Sequence, residues 1–399
     1  MEIKKQVLEL NEEVIELRRD FHQHPELGFE EFRTSQKVIE YLQQLGLEAK
    51  QITKTGVVAT LYGKQPGPTA MLRADMDGLP VQEENEVSYK SLNPGIMHAC
   101  GHDGHTAMLL TAAKILCRYR EKLSGNVKFV FEPNEENVAA LQMIEDGVLQ
   151  DPNVDACFGI HLWSTLESGK MAITPGPVMA GMNHFDLIIK GKGGHTATPQ
   201  NSVDPILTAA SVIQAVQAIQ TREISVLQPT IIMFGQIEGG TASNIIPDKV
   251  TLKGTMRFLH DIEEDEEEGP AQRFERIAAN TCRAHRADYQ LDFVSGHPTL
   301  VNDRALTEVV KLVARKVLDG STDKIVAYIS LAGEDFSEFA ARVPGVFYFI
   351  GSGNREKETD FPHHHSRFNI DEDVLQLGVE MHVRTALQYL SINHSRLAA

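Results

Sequence analysis

"NVKFVFEPNEE", residues 126 to 136, runs from β-branched and aromatic residues through a proline into two adjacent glutamates. A short apolar run closed by a turn signal reads as a buried strand, so the acids stand where that strand ends. Four more runs have the same character: "GVVATLYG" (56–63), "TAMLRAD" (69–75), "DACFGIHLW" (155–163) and "GVFYFIGSG" (345–353). Helical periodicity marks 3–22, 29–46, 105–122, 138–147, 303–317 and 372–391, with Pro25 closing the first near "HQHPE". Strands alternating with helices predict a mixed, largely parallel α/β sheet.

The rhythm changes between 183 and 295. "HFDLIIKGKG" reads as a strand, "DPILTAASVIQAVQAIQ" as a helix, "PTIIMFGQIEGG" and "DKVTLKGTMRFL" as two strands, "PAQRFERIAANTCRAHRA" as a helix and "YQLDFVSG" as a strand. That order, β-α-β-β-α-β, is that of a ferredoxin-like α+β domain. The expected organisation is a catalytic α/β domain, 1–182 plus 296–399, interrupted by a satellite domain at 183–295. A chain of 399 residues is long enough for two cores.

Composition narrows the function. A formal charge of −17 argues against nucleic acid, whose phosphates need clustered Lys and Arg. Part of the acidic excess lies in "HDIEEDEEEGP", 260–270, most simply a solvated loop or helix start. No apolar run approaches the length of a membrane span, and "MEIKKQVLELNEE" is an amphipathic helix without a signal-peptide core. A soluble, cytoplasmic protein is expected. Cys100, Cys117, Cys157 and Cys282 are scattered, and only Cys100 lies outside an apolar or helical context.

In open α/β sheets ligands sit outside the carboxyl ends of the strands. Asp75 and Asp77 follow one strand, Glu135 and Glu136 another, and His161 ends a third; His363, His364 and His365 follow "GVFYFIGSG", and "HACGHDGH" (98–105) precedes a helix. Each has a plain alternative. A strand histidine is commonly a satisfied core or edge residue, paired glutamates favour a helix start, Asp75 could cap a turn, and three histidines could form an exposed loop. Together, thiol, imidazole and carboxylate form a set that holds Zn²⁺, Mn²⁺ or Co²⁺. A thiol nucleophile at Cys100 is the competing reading; "CGH" places its histidine awkwardly close and leaves the glutamate pair without a task.

"RADMDGLP", "MHACGHDGH", "EPNEE", "GIHLW", "GKGGHTATP", "GGTASNIIPD", "GEDFSEF" and "HHHSRFNIDED" resemble, in order and over nearly the whole chain, the metal-dependent aminoacylase and carboxypeptidase family. The branch they most resemble holds hippurate hydrolases, N-acyl-amino-acid amidohydrolases and plant auxin-conjugate hydrolases. The resemblance implies a catalytic domain with two divalent metal ions per subunit (Zn, Mn, Co or Ni) and an inserted lid domain, often used for dimerisation. It implies Cys100 as bridging ligand, with His102, Glu136, His161 and His364 completing the set. His364 is chosen by aligning "HHSRF" with the family's "HHPRF".

The same resemblance makes Glu135 the general base toward a metal-activated water, with Asp75 and Asp77 supporting the ligands from behind. It makes His195 the stabiliser of the tetrahedral oxyanion, and Asn244 and Arg257 the grip on a substrate carboxylate; for Arg257 a strand-face ion pair is the plain alternative. Substrate contacting both domains would draw the lid closed. Two departures stand out: "PNEEN" replaces the usual "PAEEG", with "VAALQM" after it instead of a glycine-rich stretch, and "GGHTA" replaces "GGHGA". The expectation is a small-molecule amidohydrolase cleaving N-acyl-L-amino acids, as a homodimer or higher homo-oligomer. A dipeptidase or carboxypeptidase on the same scaffold is the alternative enzyme, and a catalytically silent binding protein the alternative class.

Overall fold

The computed structural model describes residues 2–260 and 268–397, with the side chains of 295 and 393–397 excluded. Most of the acidic run at 260–270 therefore lies outside the described residues. The chain divides into two compact units, Met1–Val178 with Leu300–Ile329 and Glu334–Ala399, and Met179–Thr299 with Ser330–Gly333. Among the described residues no helix is long and apolar enough to cross a membrane.

The first unit is built on an eight-stranded sheet. In chain order its strands are Ala49–Ile52 (β1), Gly56–Tyr62 (β2), Gln65–Asp75 (β3), Ser124–Glu132 (β4), Ala156–Glu167 (β5), Met171–Ala172 (β6), Ile325–Val326 (β7) and Gly345–Gly353 (β8). Across the sheet they lie β1-β2-β4-β3-β5-β8-β6-β7. The central four, β4, β3, β5 and β8, are all parallel. Register pairs Asp75 with Glu132, so these two carboxylates come level at the carboxyl ends of β3 and β4.

Helix His102–Cys117 packs on β3 and against Asn11–Gln23 and Leu375–Leu397. It is apolar nearly all round and buried on every face, as such a helix must be. Leu72, Phe129, Phe158 and Val346 of the parallel strands share one core with Met108 and Met381 of the helices. The helix begins three residues before the expected 105, which brings His102 and Asp103 into its first turn. The expected helix at 3–22 is two, Glu2–Glu9 and Asn11–Gln23. The two-residue β6 and β7 and the edge strand β1 were too short to leave a period in the sequence.

In the second unit, strands Thr230–Gly239, Lys249–Phe258, Gly181–Lys190 and Asp288–His297 lie side by side in that order, all antiparallel. Helices Pro205–Ala218 and Pro270–Ala284 complete β-α-β-β-α-β. Asp204 caps the first, accepting from the Ile206 and Leu207 N–H groups, with Pro205 in the first turn. Phe185, Leu187 and Ile189 alternate inward from the central strand onto Leu252 and Phe274.

Candidate metal centre

The turn before helix His102–Cys117 sets the site. Gly101 adopts φ +97°, a left-handed conformation that glycine takes without penalty. It separates Cys100 from His102 by one residue while letting both face the same space: Cys100, His102 and Glu136 offer ligand atoms within 4.8 Å of one another. Cys100, His161 and His363 form a second such group. Cys100 belongs to both.

Hydrogen bonds fix which histidine nitrogens are free. His102 Nδ1 lies 3.0 Å from Asp77 Oδ1 and 3.0 Å from the Asp77 carbonyl oxygen, so it donates there. Its buried Nε2 has no hydrogen-bond partner. His161 Nδ1 donates to the Leu162 carbonyl at 2.8 Å, leaving Nε2 as a lone pair 3.6 Å from Cys100 Sγ. His364 Nε2 lies 3.1 Å from Glu136 Oε1, and His363 Nε2 lies 3.1 Å from the Leu162 carbonyl.

These donors fit divalent metal ions. An orphaned, buried imidazole nitrogen costs free energy unless something binds it, and here it faces a thiol and a carboxylate. Burial, with Glu136 and Glu135 close by, pushes the Cys100 thiol well up, so a thiolate there calls for a cation. Burial opposes charge on His102, yet Asp75 and Asp77 raise it to about 10. A field that favours a proton favours a cation in the same place.

A third group, Asp75, His102 and His105, also clusters, but Asp75 and His105 are already spent on other hydrogen bonds. His105 Nδ1 donates to Asp75 Oδ1 at 2.6 Å, and His105 Nε2 accepts the Leu162 N–H at 2.8 Å. Asp75 also accepts from Arg73 at 2.7 Å. Asp75 therefore braces the peptide beside His161. Sequence reasoning missed His105's task, although the residue lies within the quoted motif; Leu162, whose peptide orders three histidines, carries no side-chain signal at all.

Glu135 is flanked by Glu334 and Asp335, the three carboxylates lying within 4.8 Å of one another. Burial and these neighbours hold its pKa well above the ordinary carboxylate range. Arg73, itself buried, pairs with Asp75, Glu132, Glu334 and Asp335. In the departure "PNEEN", Asn137 Nδ2 donates to Asn134 Oδ1 at 3.1 Å, and Asn134 sits at φ +51°, which asparagine tolerates.

The remaining expected residues lie in the second unit. A two-residue ladder pairs His195 with Ile245, and His195 and Asn244 line one recess of about 600 Å³ with Asp248. His195 Nδ1 accepts the Ala197 N–H at 3.0 Å, so the neutral ring carries its proton on Nε2. Arg257 is half-buried, and its Nη1 donates to the Leu331 carbonyl at 2.9 Å.

A parallel α/β unit that gathers thiol, imidazole and carboxylate donors beside a largely enclosed glutamate defines a metal-dependent hydrolase. Residues 71–388 match the model of Peptidase family M20/M25/M40, and the chain belongs to that family. It is 38% identical over 393 residues to thermostable carboxypeptidase 1 of Saccharolobus solfataricus, covering 97% of this chain and 98% of that protein. It is 44% identical over 304 residues to an N-acyl-L-amino acid amidohydrolase of Geobacillus stearothermophilus, covering 75% and 81%. The crystal structure of a Bacillus subtilis dinuclear metal binding peptidase from the M20 family superposes with a TM-score of 0.83 at 30% identity, covering 96% of this chain and 99% of that one.

Proposed function

We propose that this protein hydrolyses the amide bond of N-acyl-L-amino acids, with Cys100, His102, Glu136, His161 and His364 as ligands of two divalent ions. The observation that carries the reading is the sharing of Cys100 between two ligand groups, one of which contains the unpartnered His102 Nε2. The group around Cys100 and His161 is completed by His363; His364 is kept as the ligand because its Nε2 reaches Glu136, whereas His363 Nε2 is turned to a backbone carbonyl.

Divalent ions held by these five residues would supply Lewis acidity for activating water and polarising the amide carbonyl. Glu135, whose proton affinity is raised by burial and the carboxylates beside it, takes the water's proton and returns it to the leaving nitrogen. Asp77 holds His102, and Asp75 acts through His105. His195 donates from Nε2 to the developing oxyanion, and Asn244 with Arg257 binds the substrate carboxylate. The first unit serves as the catalytic domain and the second, Met179–Thr299 with Ser330–Gly333 rather than the expected 183–295, as the lid and dimerisation domain. Edge strand Thr230–Gly239, with Met233 and Ile237 each 59% exposed, supports self-association as a homodimer. Four free cysteines support a reducing, cytoplasmic location.

The test is a panel of N-acetyl, N-benzoyl and N-indoleacetyl amino acids alongside dipeptides, with chelated enzyme and enzyme resupplied with Mn²⁺, Zn²⁺ or Co²⁺. Metal-restored cleavage of acyl-amino acids, lost in Glu135→Gln while metal still binds, is the expected result. Activity confined to peptides would move the assignment to the carboxypeptidase reading, which the Saccharolobus similarity favours.

A further inference from the structure

The turn that carries Glu135 and Glu136 closes on two bonds of its own, Asn137 N–H to the Asn134 carbonyl at 3.2 Å and Val138 N–H to the Glu135 carbonyl at 3.0 Å, and is further held from outside. Asn134 and Val138 both lie at positive φ, +51° and +63°, and a β-branched residue is an outlier there. Four backbone N–H groups of this turn and the helix start after it end on carboxylates from three distant segments of the first unit. Asn134 N–H donates to Glu31 Oε1 at 2.9 Å, and Glu136 N–H to Asp77 Oδ2 at 3.2 Å. Ala139 and Ala140 N–H both donate to Asp335 Oδ2, at 2.8 and 2.9 Å. The other Asp335 oxygen accepts from Arg73 Nη2 at 3.1 Å.

Asp335, 1% exposed, thus uses one oxygen on the turn and the other on the buried arginine that also grips Asp75 and Glu132. We propose that Asp335 is a positioning residue that clamps the 134–140 turn to Arg73 and thereby sets where the Glu135 and Glu136 carboxylates stand. The inference rests on the assignment of Glu135 as base and Glu136 as ligand. A carboxylate is needed because both oxygens must accept. An asparagine has one accepting oxygen, and its NH₂ must face either Arg73 or the two amides, all of them donors.

The experiment uses the full chain with Asp335→Asn and Asp335→Ser, each loaded with Co²⁺ after chelation. For a variant that keeps the wild-type circular dichroism and melting profile, the expectation is threefold. The visible Co²⁺ spectrum changes, Co²⁺ affinity falls about 10-fold or more, and kcat falls at least about 10-fold with KM little moved. A folded variant with wild-type spectrum, Co²⁺ affinity and kcat overturns the proposal. Hydrogen exchange on the wild-type protein tests it without any variant, since amides at 139 and 140 exchanging as fast as free peptide would also overturn it. Glu135→Gln run in parallel separates the two failures. Its remaining active sinks the underlying assignment, whereas its loss of activity beside a wild-type-like Asp335→Asn sinks only the clamp.

Discussion

Asp77 ties two of the proposed ligand residues together: Oδ1 lies 3.0 Å from His102 Nδ1, and Oδ2 accepts the Glu136 N–H at 3.2 Å. Outer hydrogen bonds of this kind fix the ligand tautomer and ring orientation, and their removal typically costs 10–100-fold in metal affinity. Asp77→Ala should weaken metal binding by about that factor, measured by titrating chelated protein. Unchanged affinity would mean that His102 is oriented by something else.

Cys100 offers a sharper test of ligand chemistry. A carboxylate can ligate a divalent ion where a methyl group cannot. Cys100→Asp should retain bound metal, whereas Cys100→Ala should lose metal by more than the roughly 10–100-fold typical of outer-shell changes. Metal content after gel filtration reads both. Burial and the nearby glutamates also keep this thiol protonated, so in chelated protein at neutral pH Cys100 should resist iodoacetamide. Rapid labelling would revive the thiol-nucleophile reading.

Gly101→Ala isolates backbone strain from crowding. A methyl group built there meets nothing closer than 3.5 Å, so space is available, and the cost comes from φ +97°. That cost is about 1–2 kcal/mol if the backbone holds. If the backbone relaxes instead, Cys100 and His102 separate and metal is lost. A variant with wild-type melting temperature and wild-type metal content would contradict both outcomes.

His22 supplies a pH signature away from the ligands. It sits between Asp103 Oδ2 at 2.7 Å and Glu83 Oε1 at 3.1 Å. Burial and Arg18 oppose its charge, but the two carboxylates outweigh them and raise its pKa above 6.5. A raised folded-state pKa gives stabilisation that is complete below the unfolded value and lost as pH rises through the folded one. The urea-midpoint gap between wild type and His22→Asn should therefore widen as pH falls from alkaline values to about 6.5, then level off. A gap that is flat across this range would show that His22 does not titrate there.

What could be read in advance depended on range along the chain. The parallel sheet was legible because each of its long strands is a continuous apolar run, and the inserted β-α-β-β-α-β unit because its order survives in the pattern. Cys100, His102 and Glu136 were legible as polar residues flanking a helix start or a strand end, whereas His161, expected to end its strand, lies inside Ala156–Glu167. The task of Asp335 was not, because its partners Arg73, Ala139 and Ala140 lie about two hundred residues or more away in sequence. Leu162 acts through its peptide group, which every residue has. Choosing between His363 and His364 from sequence rested on alignment alone, since adjacent histidines in a loop have no period to distinguish them.

The order of the strands also fixes a schedule. Cys100, His102, Glu136 and His161 are all synthesised before the inserted unit, whereas β8, which pairs with β5 beside His161, and His364 come after it. On the ribosome the nascent chain can hold four of the five proposed ligands while the strand between β5 and β6 is still missing. A chain truncated after the inserted unit would carry four of the five proposed ligands and strands β1 to β6, but would lack β7, β8 and His364.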